Sequence, residues 1–166
     1  MKMNERVILC VVACLGLMLG LLAGCDPNLT HGKTLLPNAM SPYTEWKISA
    51  TGARFNNIQH AMDGFNATYA STRGGYQGAS ITIDLGRPCM FNMVALLHSD
   101  QGMGFARLVA LSTSMDGKKF THEYTAPGTR KVTYLLPMTR ITARYVRLTA
   151  VRPGSEPWSI SEIYFQ

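Results

Sequence analysis

The segment Ile81-Thr82-Ile83-Asp84-Leu85-Gly86 contains the pattern that decides the fold. Its isoleucine and leucine side chains alternate with threonine and aspartate, as in a β-strand with one buried face. The glycine and the following Arg87-Pro88 are expected to end this strand, because proline cannot donate a hydrogen bond to a sheet and glycine favours a turn. The segment therefore predicts a strand that ends at Leu85.

Short apolar patterns of the same kind recur along the rest of the chain, and turn residues such as Asp116-Gly117 separate them. No segment has the periodicity of an amphipathic helix. About eight strands without helices predict an all-β sandwich. The predicted strands span residues 45–50, 81–85, 91–97, 108–113, 120–125, 132–136, 141–151 and the last residues from 160 to 165.

Residues 1–24 are predicted to be a signal peptide. Lys2 and Arg6 precede an uninterrupted apolar run at 7–22, and small residues follow it. The end of this segment resembles the bacterial lipoprotein box, which implies cleavage before Cys25 and lipidation of its thiol. The alternative is a plain transmembrane anchor, but the run is shorter than the ~20 residues that a span needs.

Residues 25–44 contain prolines and no sustained period, so they are predicted to form a tether between the lipid and a single domain at 45–166. If Cys25 is lipidated, Cys89 is left alone as a small buried hydrophobe, and no intramolecular disulfide is possible.

The net charge of +6 favours anionic glycans, phospholipid or cell-wall polymers as partners, or it reflects only a solvated basic surface. No basic run with interleaved aromatic residues indicates nucleic acid.

Five motifs, in this order along the chain, resemble the F5/8 type C (discoidin-like) domain, which is related to the family 32 carbohydrate-binding modules. The resemblance covers residues 45–166 and implies a galactose-binding-domain-like jelly-roll β-sandwich. The motifs span residues 61–69, 81–86, 114–120, 143–148 and 158–163.

The resemblance also implies a structural calcium ion. In bacterial sugar-binding relatives an Asp-Gly…Thr segment and a glutamate of the last strand hold it, and the matching residues are Asp63, Thr68 and Glu162. Carboxylate, hydroxyl and carbonyl oxygens are the ligands that calcium prefers. Phe65 stands where the family usually has an asparagine that offers its carbonyl, and Tyr69 replaces the usual tryptophan. The alternative is that Asp63 only caps its turn and Glu162 faces water.

Relatives bind their ligands through three loops at one end of the barrel, which match residues 51–60, 71–78 and 98–105. In such sites aromatic rings stack on the sugar, and polar side chains bond its hydroxyl groups. His98 stands where galactose-binding relatives commonly have arginine, so galactose specificity is not predicted. The alternative for Trp158 is that it packs in the core, because a tryptophan at this position is a feature of the fold in the family. The candidate ligand-binding residues are Arg54, Phe55, Asn57, Arg73, Tyr76, His98, Asp100 and Trp158.

Catalysis is not predicted, because the chain contains no nucleophile motif and its four histidines lack metal-ligand spacing. The sequence predicts an exported, membrane-anchored bacterial lipoprotein that binds a glycan or cell-envelope polymer without cleaving it. The alternative is an accessory lipoprotein that docks into an envelope assembly, for which a larger apolar patch is expected. A lower-ranked possibility is phospholipid insertion through Phe55, Met103 and Phe105.

Overall fold

The computed structural model of the protein describes residues 40–99, 101 and 104–166. The predicted signal peptide, the lipidation site Cys25, most of the tether and the candidate residue Asp100 lie outside the described residues. Within the described part of the chain, no helix has the length and apolar character needed to cross a membrane.

Eleven strands and two short 3-10 helices make up the described part of the chain. The 3-10 helices span Tyr43–Glu45 and Ile58–Met62. The strands are β1 (Lys47–Thr51), β2 (Phe55–Asn56), β3 (Ala70–Thr72), β4 (Ser80–Phe91), β5 (Val94–Leu97), β6 (Leu108–Ser114), β7 (Thr121–Pro127), β8 (Val132–Leu135), β9 (Ile141–Arg152), β10 (Ser159–Ile160) and β11 (Glu162–Phe165).

The strands form three antiparallel sheets around one core. A five-stranded sheet has the order β1-β4-β9-β6-β7, and two three-stranded sheets have the orders β10-β3-β2 and β11-β5-β8. Inward side chains of all three sheets, among them Ile83, Ile160 and Leu96, are fully buried in one hydrophobic cluster. Cys89 is free and lies in the same cluster, as predicted. The predicted all-β jelly-roll sandwich is confirmed.

The predicted end of the opening strand is wrong. Strand β4 continues through residues 86–88 to Phe91, and its register against β9 shifts between Asp84 and Cys89. Gly86 has a φ of 78°, and its N–H donates to the Asp84 carboxylate at 2.8 Å. A bulge leaves residues unpaired with the neighbouring strand, so the strand accommodates a proline that has no N–H to donate.

Three further predictions of strand bounds are corrected. The first strand begins at Lys47, because residues 43–45 form a 3-10 turn. The apolar run at 91–97 is divided between β4 and β5, and the N–H groups of Asn92 and Met93 both donate to the Gln166 carbonyl. The predicted last strand at 160–165 is divided into β10 and β11. Strands β2 and β3 lie largely in stretches that were predicted to be loops, since two or three residues are too few to show a period.

One buried histidine connects the two three-stranded sheets. The Nδ1 atom of His98 lies 2.7 Å from the Ser159 carbonyl oxygen, and its Nε2 lies 2.9 Å from the Thr133 hydroxyl. A carbonyl oxygen only accepts hydrogen bonds, so Nδ1 carries the proton and Nε2 accepts from the threonine. Burial lowers the pKa of His98 from its ordinary value of 6.5, although the bond to the Ser159 carbonyl opposes this effect. The ring is therefore neutral in the folded protein at neutral pH.

We predict that this histidine makes the fold acid-sensitive. Below pH 6.5 the unfolded chain takes up a proton that the buried ring excludes, so the stability present above this pH is lost as the pH falls toward the lowered pKa. Thermal unfolding between pH 7.5 and 5 should show a smaller fall of Tm in the His98→Gln variant. His122→Gln, at an exposed position, is the control and should follow the parent. A parent-like pH dependence in His98→Gln would contradict the prediction.

Candidate functional site

The loops at one end of the sandwich are organised around Trp158. Its indole is fully buried and stacks on the Tyr76 ring, with centroids 6.1 Å apart and an interplanar angle of 26°. The Phe55 ring meets it nearly edge-on at 5.9 Å. The backbone N–H of Trp158 donates to the Thr72 hydroxyl, and the backbone N–H of Thr72 donates to the Trp158 carbonyl, both at 2.9 Å. The ring of Trp158 therefore connects the segments that contain residues 55 and 76, and its backbone connects them to residue 72.

The segment around Gly104 packs on the last loop without any side chain between them. The Gly104 N–H donates to the Pro157 carbonyl, and the Ser159 N–H donates to the Gly104 carbonyl, both at 3.0 Å. A Cβ at position 104 would lie 2.5 Å from the Glu156 Cβ, so a larger residue would separate the two segments. A glycine at this point allows the close approach.

Three of the candidate ligand-binding residues are not on the surface. Tyr76 is 2% exposed, and its hydroxyl accepts from the Gly154 N–H at 2.5 Å and donates to the Phe105 carbonyl at 3.2 Å. His98 and Trp158 are buried as well. The structure does not present these three residues to a ligand, because the polar atoms of Tyr76 and His98 bond other parts of the protein and the Trp158 ring is fully buried against Phe55 and Tyr76. They hold the loops in place instead.

Four other candidates lie together. Arg54, Asn57 and Arg73 are exposed and Phe55 is half-buried, and all four line two depressions that share Asn56 and Arg73. We call the two depressions together the groove. It lies at the end of the sandwich where β1 ends and β4 begins. Its volumes of about 490 and 470 Å³ are of the size of small-ligand sites.

The first depression is polar, and strand β3 supplies much of it. Tyr69, Ser71 and Arg73 alternate with buried residues, so their side chains are on one face. Asn56 on β2 pairs with Ser71 and adds its amide to the same face. The depression is lined by Asn56, Asn57, His60, Thr68, Tyr69, Ser71 and Arg73.

The second depression combines an apolar surface with arginine side chains. The Arg73 side chain donates from Nε to the Asn56 amide oxygen, and the Arg73 N–H donates to the Arg54 carbonyl at 2.9 Å. Asn56 and Arg73 therefore form a connected wall between the two depressions. The lining is Ala50, Ala53, Arg54, Phe55, Asn56, Ile58 and Arg73.

The predicted cation ligands converge beside the groove. Thr68 Oγ1 lies 2.7 Å from Asp63 Oδ2 and 2.8 Å from the Phe65 carbonyl oxygen. Glu162 is 1% exposed, and its Oε1 accepts from the Gly64 N–H at 2.6 Å. The Phe65 side chain is 68% exposed, so only its backbone belongs to this cluster. The expectation that Glu162 might face water is therefore excluded.

The two carboxyl groups of the cluster have opposite pKa shifts. Burial raises the pKa of Glu162 above its ordinary value of 4.5, and the nearby Asp63 raises it further. For Asp63, burial also acts upward, but hydrogen bonds from the Thr68 hydroxyl and the Phe65 N–H outweigh it and hold its pKa low. Two neighbouring carboxyl groups, one of them buried, repel each other when both are ionised, and a bound cation would relieve this repulsion.

The donor set fits a hard cation. It offers two carboxyl groups, one hydroxyl and the backbone carbonyl of Phe65, which are oxygen ligands of the kind that calcium binds. Within the described residues, no group of three or more histidine, cysteine, aspartate or glutamate side chains could hold a metal ion. Because all the atoms of the donor set are oxygens, the set is of the kind that suits calcium better than a transition metal.

Sequence reasoning missed several residues that line the groove. Asn56, His60 and Ser71 were not candidates, and Tyr69 was considered only as a replacement in the cation motif. The alternation at 69, 71 and 73 was the available signal, but it is only five residues long.

Comparisons with known proteins identify the family. The sequence model of the F5/8 type C domain family matches residues 44–163. No curated protein matches the chain.

Several solved structures share the fold. CpGH89CBM32-5 from Clostridium perfringens, in complex with GalNAc-β-1,3-galactose, has a TM-score of 0.67 at 21% identity, over 75% of this chain and 96% of that one. The family 32 module of Clostridium perfringens NanJ, in complex with galactose, has a TM-score of 0.66 at 20% identity, over 77% and 97% of the two chains.

A third similar structure is chitosan-binding module 1 from a chitosanase/glucanase of Paenibacillus sp. IK-5. Its TM-score is 0.62 at 22% identity, over 72% of this chain and 92% of that one. At this level of identity the three structures establish the fold alone. With the family model matching most of the chain, the protein belongs to the F5/8 type C domain family.

Proposed function

We propose that the protein is a non-catalytic, lipid-anchored carbohydrate-binding module that binds a glycan in the groove. The observation that carries the proposal is the placement of Phe55, Asn56 and Arg73, which brings an aromatic ring and convergent polar groups to one concave surface. Sugar sites need this combination. Structurally similar modules were solved with galactose and with GalNAc-β-1,3-galactose, which supports the class of ligand.

The groove has the chemistry to bind a sugar without cleaving it. The rings of Phe55 and Tyr69 offer apolar surface to the C–H face of a pyranose, while asparagine amides and arginine donors reach its hydroxyl groups. Glycoside hydrolysis generally uses a pair of carboxyl groups beside the scissile bond, and the residues that line the groove include none. Binding alone is therefore proposed.

The anchor is part of the same proposal. A signal peptide at 1–24 and a lipidated Cys25 would export the domain and hold it at a bacterial membrane, where a tether of residues 25–44 would let the groove reach envelope polymers.

Glycan binding should depend on two residues that line the groove, Arg73 and Phe55. The full chain in detergent, applied to a glycan array with calcium, should give a hit that Arg73→Ala and Phe55→Ala each weaken by about tenfold or more. Hydrogen bonds to a charged group contribute about 1.5–3 kcal/mol, which corresponds to this loss. Arg140→Ala is the control, because Arg140 precedes β9 at the opposite end of the sandwich. Equal losses in all three variants would contradict the proposed site.

We also propose that Asp63, Thr68 and Glu162 hold a structural calcium ion. Bound calcium would neutralise both carboxyl groups and fix the segment 63–68. Thr68 lines the groove and its hydroxyl bonds Asp63, so an ion that orders the cation cluster would also order this part of the groove lining.

Calcium should raise Tm in the parent but not in Asp63→Asn or Glu162→Gln, and a chelator should remove the increase. An ion present at a hundred times its dissociation constant stabilises by about 2.7 kcal/mol. The effect should weaken as the pH falls through the raised pKa of Glu162, because calcium must then displace a proton. Asp116→Asn, in the hairpin turn between β6 and β7, should keep the full response. The cation proposal fails if the parent melts at the same temperature with calcium and with chelator.

A docking role in an envelope assembly is the second candidate, and an exposed apolar strip supports it. Tyr134 and Tyr164 flank Ala95 in register on the outer face of the β11-β5-β8 sheet, and both tyrosines are exposed. Leu136 and Met138 continue the strip beyond β8, and Met138 is 99% exposed. Exposed apolar surface of this kind is typical of protein contacts.

The two candidates depend on different surfaces, so variants separate them. Cross-linking of the full chain in its native envelope should give a partner that is lost in the double variant Tyr134→Ser, Met138→Ser and retained in Arg73→Ala if the docking role holds. If instead glycan binding is lost in Arg73→Ala and intact in the double variant, the result would support the carbohydrate-binding role.

A further inference from the structure

The charges that line the groove narrow the class of sugar. The lining contains the cationic side chains of Arg54 and Arg73, and neither depression is lined by an aspartate or a glutamate. We propose that the groove selects a glycan with a carboxylated sugar, such as a hexuronate, an inference that rests on the proposed carbohydrate-binding function. A carboxylate on the pyranose ring is the feature that the groove would recognise.

The two arginines of the groove have donors left for a ligand. Arg73 uses Nε on Asn56, and a guanidinium has four further N–H donors on its terminal nitrogens. Within the described residues, neither Arg54 nor Arg73 takes part in a salt bridge. Guanidinium groups bind carboxylates through two parallel hydrogen bonds. A sugar carboxylate could form such a pair with the guanidinium of Arg54 or Arg73.

Two arginines of the five-stranded sheet, Arg144 and Arg147, differ from the groove arginines in having partners for their guanidinium groups. Arg144 bonds both carboxylate oxygens of Asp84, at 2.8 and 3.0 Å. Arg147 donates to the Thr82 hydroxyl, and its guanidinium lies 3.6 Å from the centre of the Phe120 ring. The guanidinium groups of Arg144 and Arg147 thus bond or stack within the protein, whereas those of Arg54 and Arg73 line an open concave surface and, in the described part of the chain, only Nε of Arg73 is bonded, to Asn56.

One carboxylate close to the groove, that of Asp63, interacts electrostatically with His60 but forms no salt bridge with Arg54 or Arg73 within the described residues. Asp63 lies behind Thr68, and its two oxygens accept from the Thr68 hydroxyl and the Phe65 N–H at 2.7 and 2.9 Å. Its oxygens are therefore engaged by the segment 63–68 and not by the groove arginines. Together with the rings of Phe55 and Tyr69, the groove arginines give one site for the carboxylate and one for the apolar face of the same sugar.

The test compares oligosaccharides with and without carboxylate groups. Isothermal titration of the full chain in calcium buffer uses trigalacturonate, which carries a carboxylate at C6, and galactotriose, which carries a hydroxymethyl group there. Glucosamine trimer, which is cationic, and sialyllactose, whose carboxylate is on a different sugar, complete the set. We expect trigalacturonate or sialyllactose to bind at least tenfold tighter than galactotriose, with glucosamine trimer weakest.

Charge-neutral variants locate the effect. Arg73→Gln and Arg54→Gln should each reduce binding of the carboxylated sugar toward the level of galactotriose, while Arg140→Gln should leave it unchanged. Arg140→Gln removes the same charge at the opposite end of the sandwich, so it controls for non-specific attraction. The thermal unfolding of each variant should match the parent, because both groove arginines are exposed.

The outcomes separate this inference from the function on which it rests. Tight binding of galactotriose, lost in Arg73→Gln, would overturn the preference for carboxylated sugars and leave the carbohydrate-binding function standing. An equal loss in Arg140→Gln would show that only net charge attracts the ligand, which also overturns the inference. Absence of binding to every probe and to the glycan array would overturn both proposals.

Discussion

The arrangement of the loops depends on the packing of one buried indole. Trp158 contacts Phe55 and Tyr76 through its ring, and its backbone exchanges two hydrogen bonds with Thr72. These partners lie far from Trp158 in the chain, and their segments are short loops and strands of two or three residues. Burial of a large aromatic side chain provides the free energy that orders them together. The groove exists because these segments are ordered.

This dependence divides the loop residues into two groups with different roles. Tyr76 and His98 saturate their polar atoms inside the protein, so they stabilise the loops and offer nothing to a ligand. Arg54 and Arg73 keep their charge on the surface beside them. A binding site of this type needs both groups, since exposed donors are selective only when a rigid scaffold positions them.

The sequence predicted the scaffold better than the site. Alternation over five or more residues located most of the strands of the five-stranded sheet, because their inward side chains must be apolar. It failed at residues 86–88, where a bulge lets a strand continue through a proline, and at β2 and β3, whose lengths are below one readable period. Burial of His98 and Tyr76 could not be inferred, since a polar side chain is buried only when distant partners, here Ser159 and Gly154, come to meet it.

The account as a whole rests on the claim that the ligand occupies the groove, and amide chemical-shift mapping tests this most directly. A ¹H–¹⁵N spectrum of the full chain, recorded during titration with trigalacturonate, reports on every backbone N–H at once. The account predicts that the largest shifts fall at residues 54–57 and 69–73, with small changes at 130–140. Large shifts confined to the strip around Tyr134, or to the segment 98–105 with an unchanged groove, would contradict it.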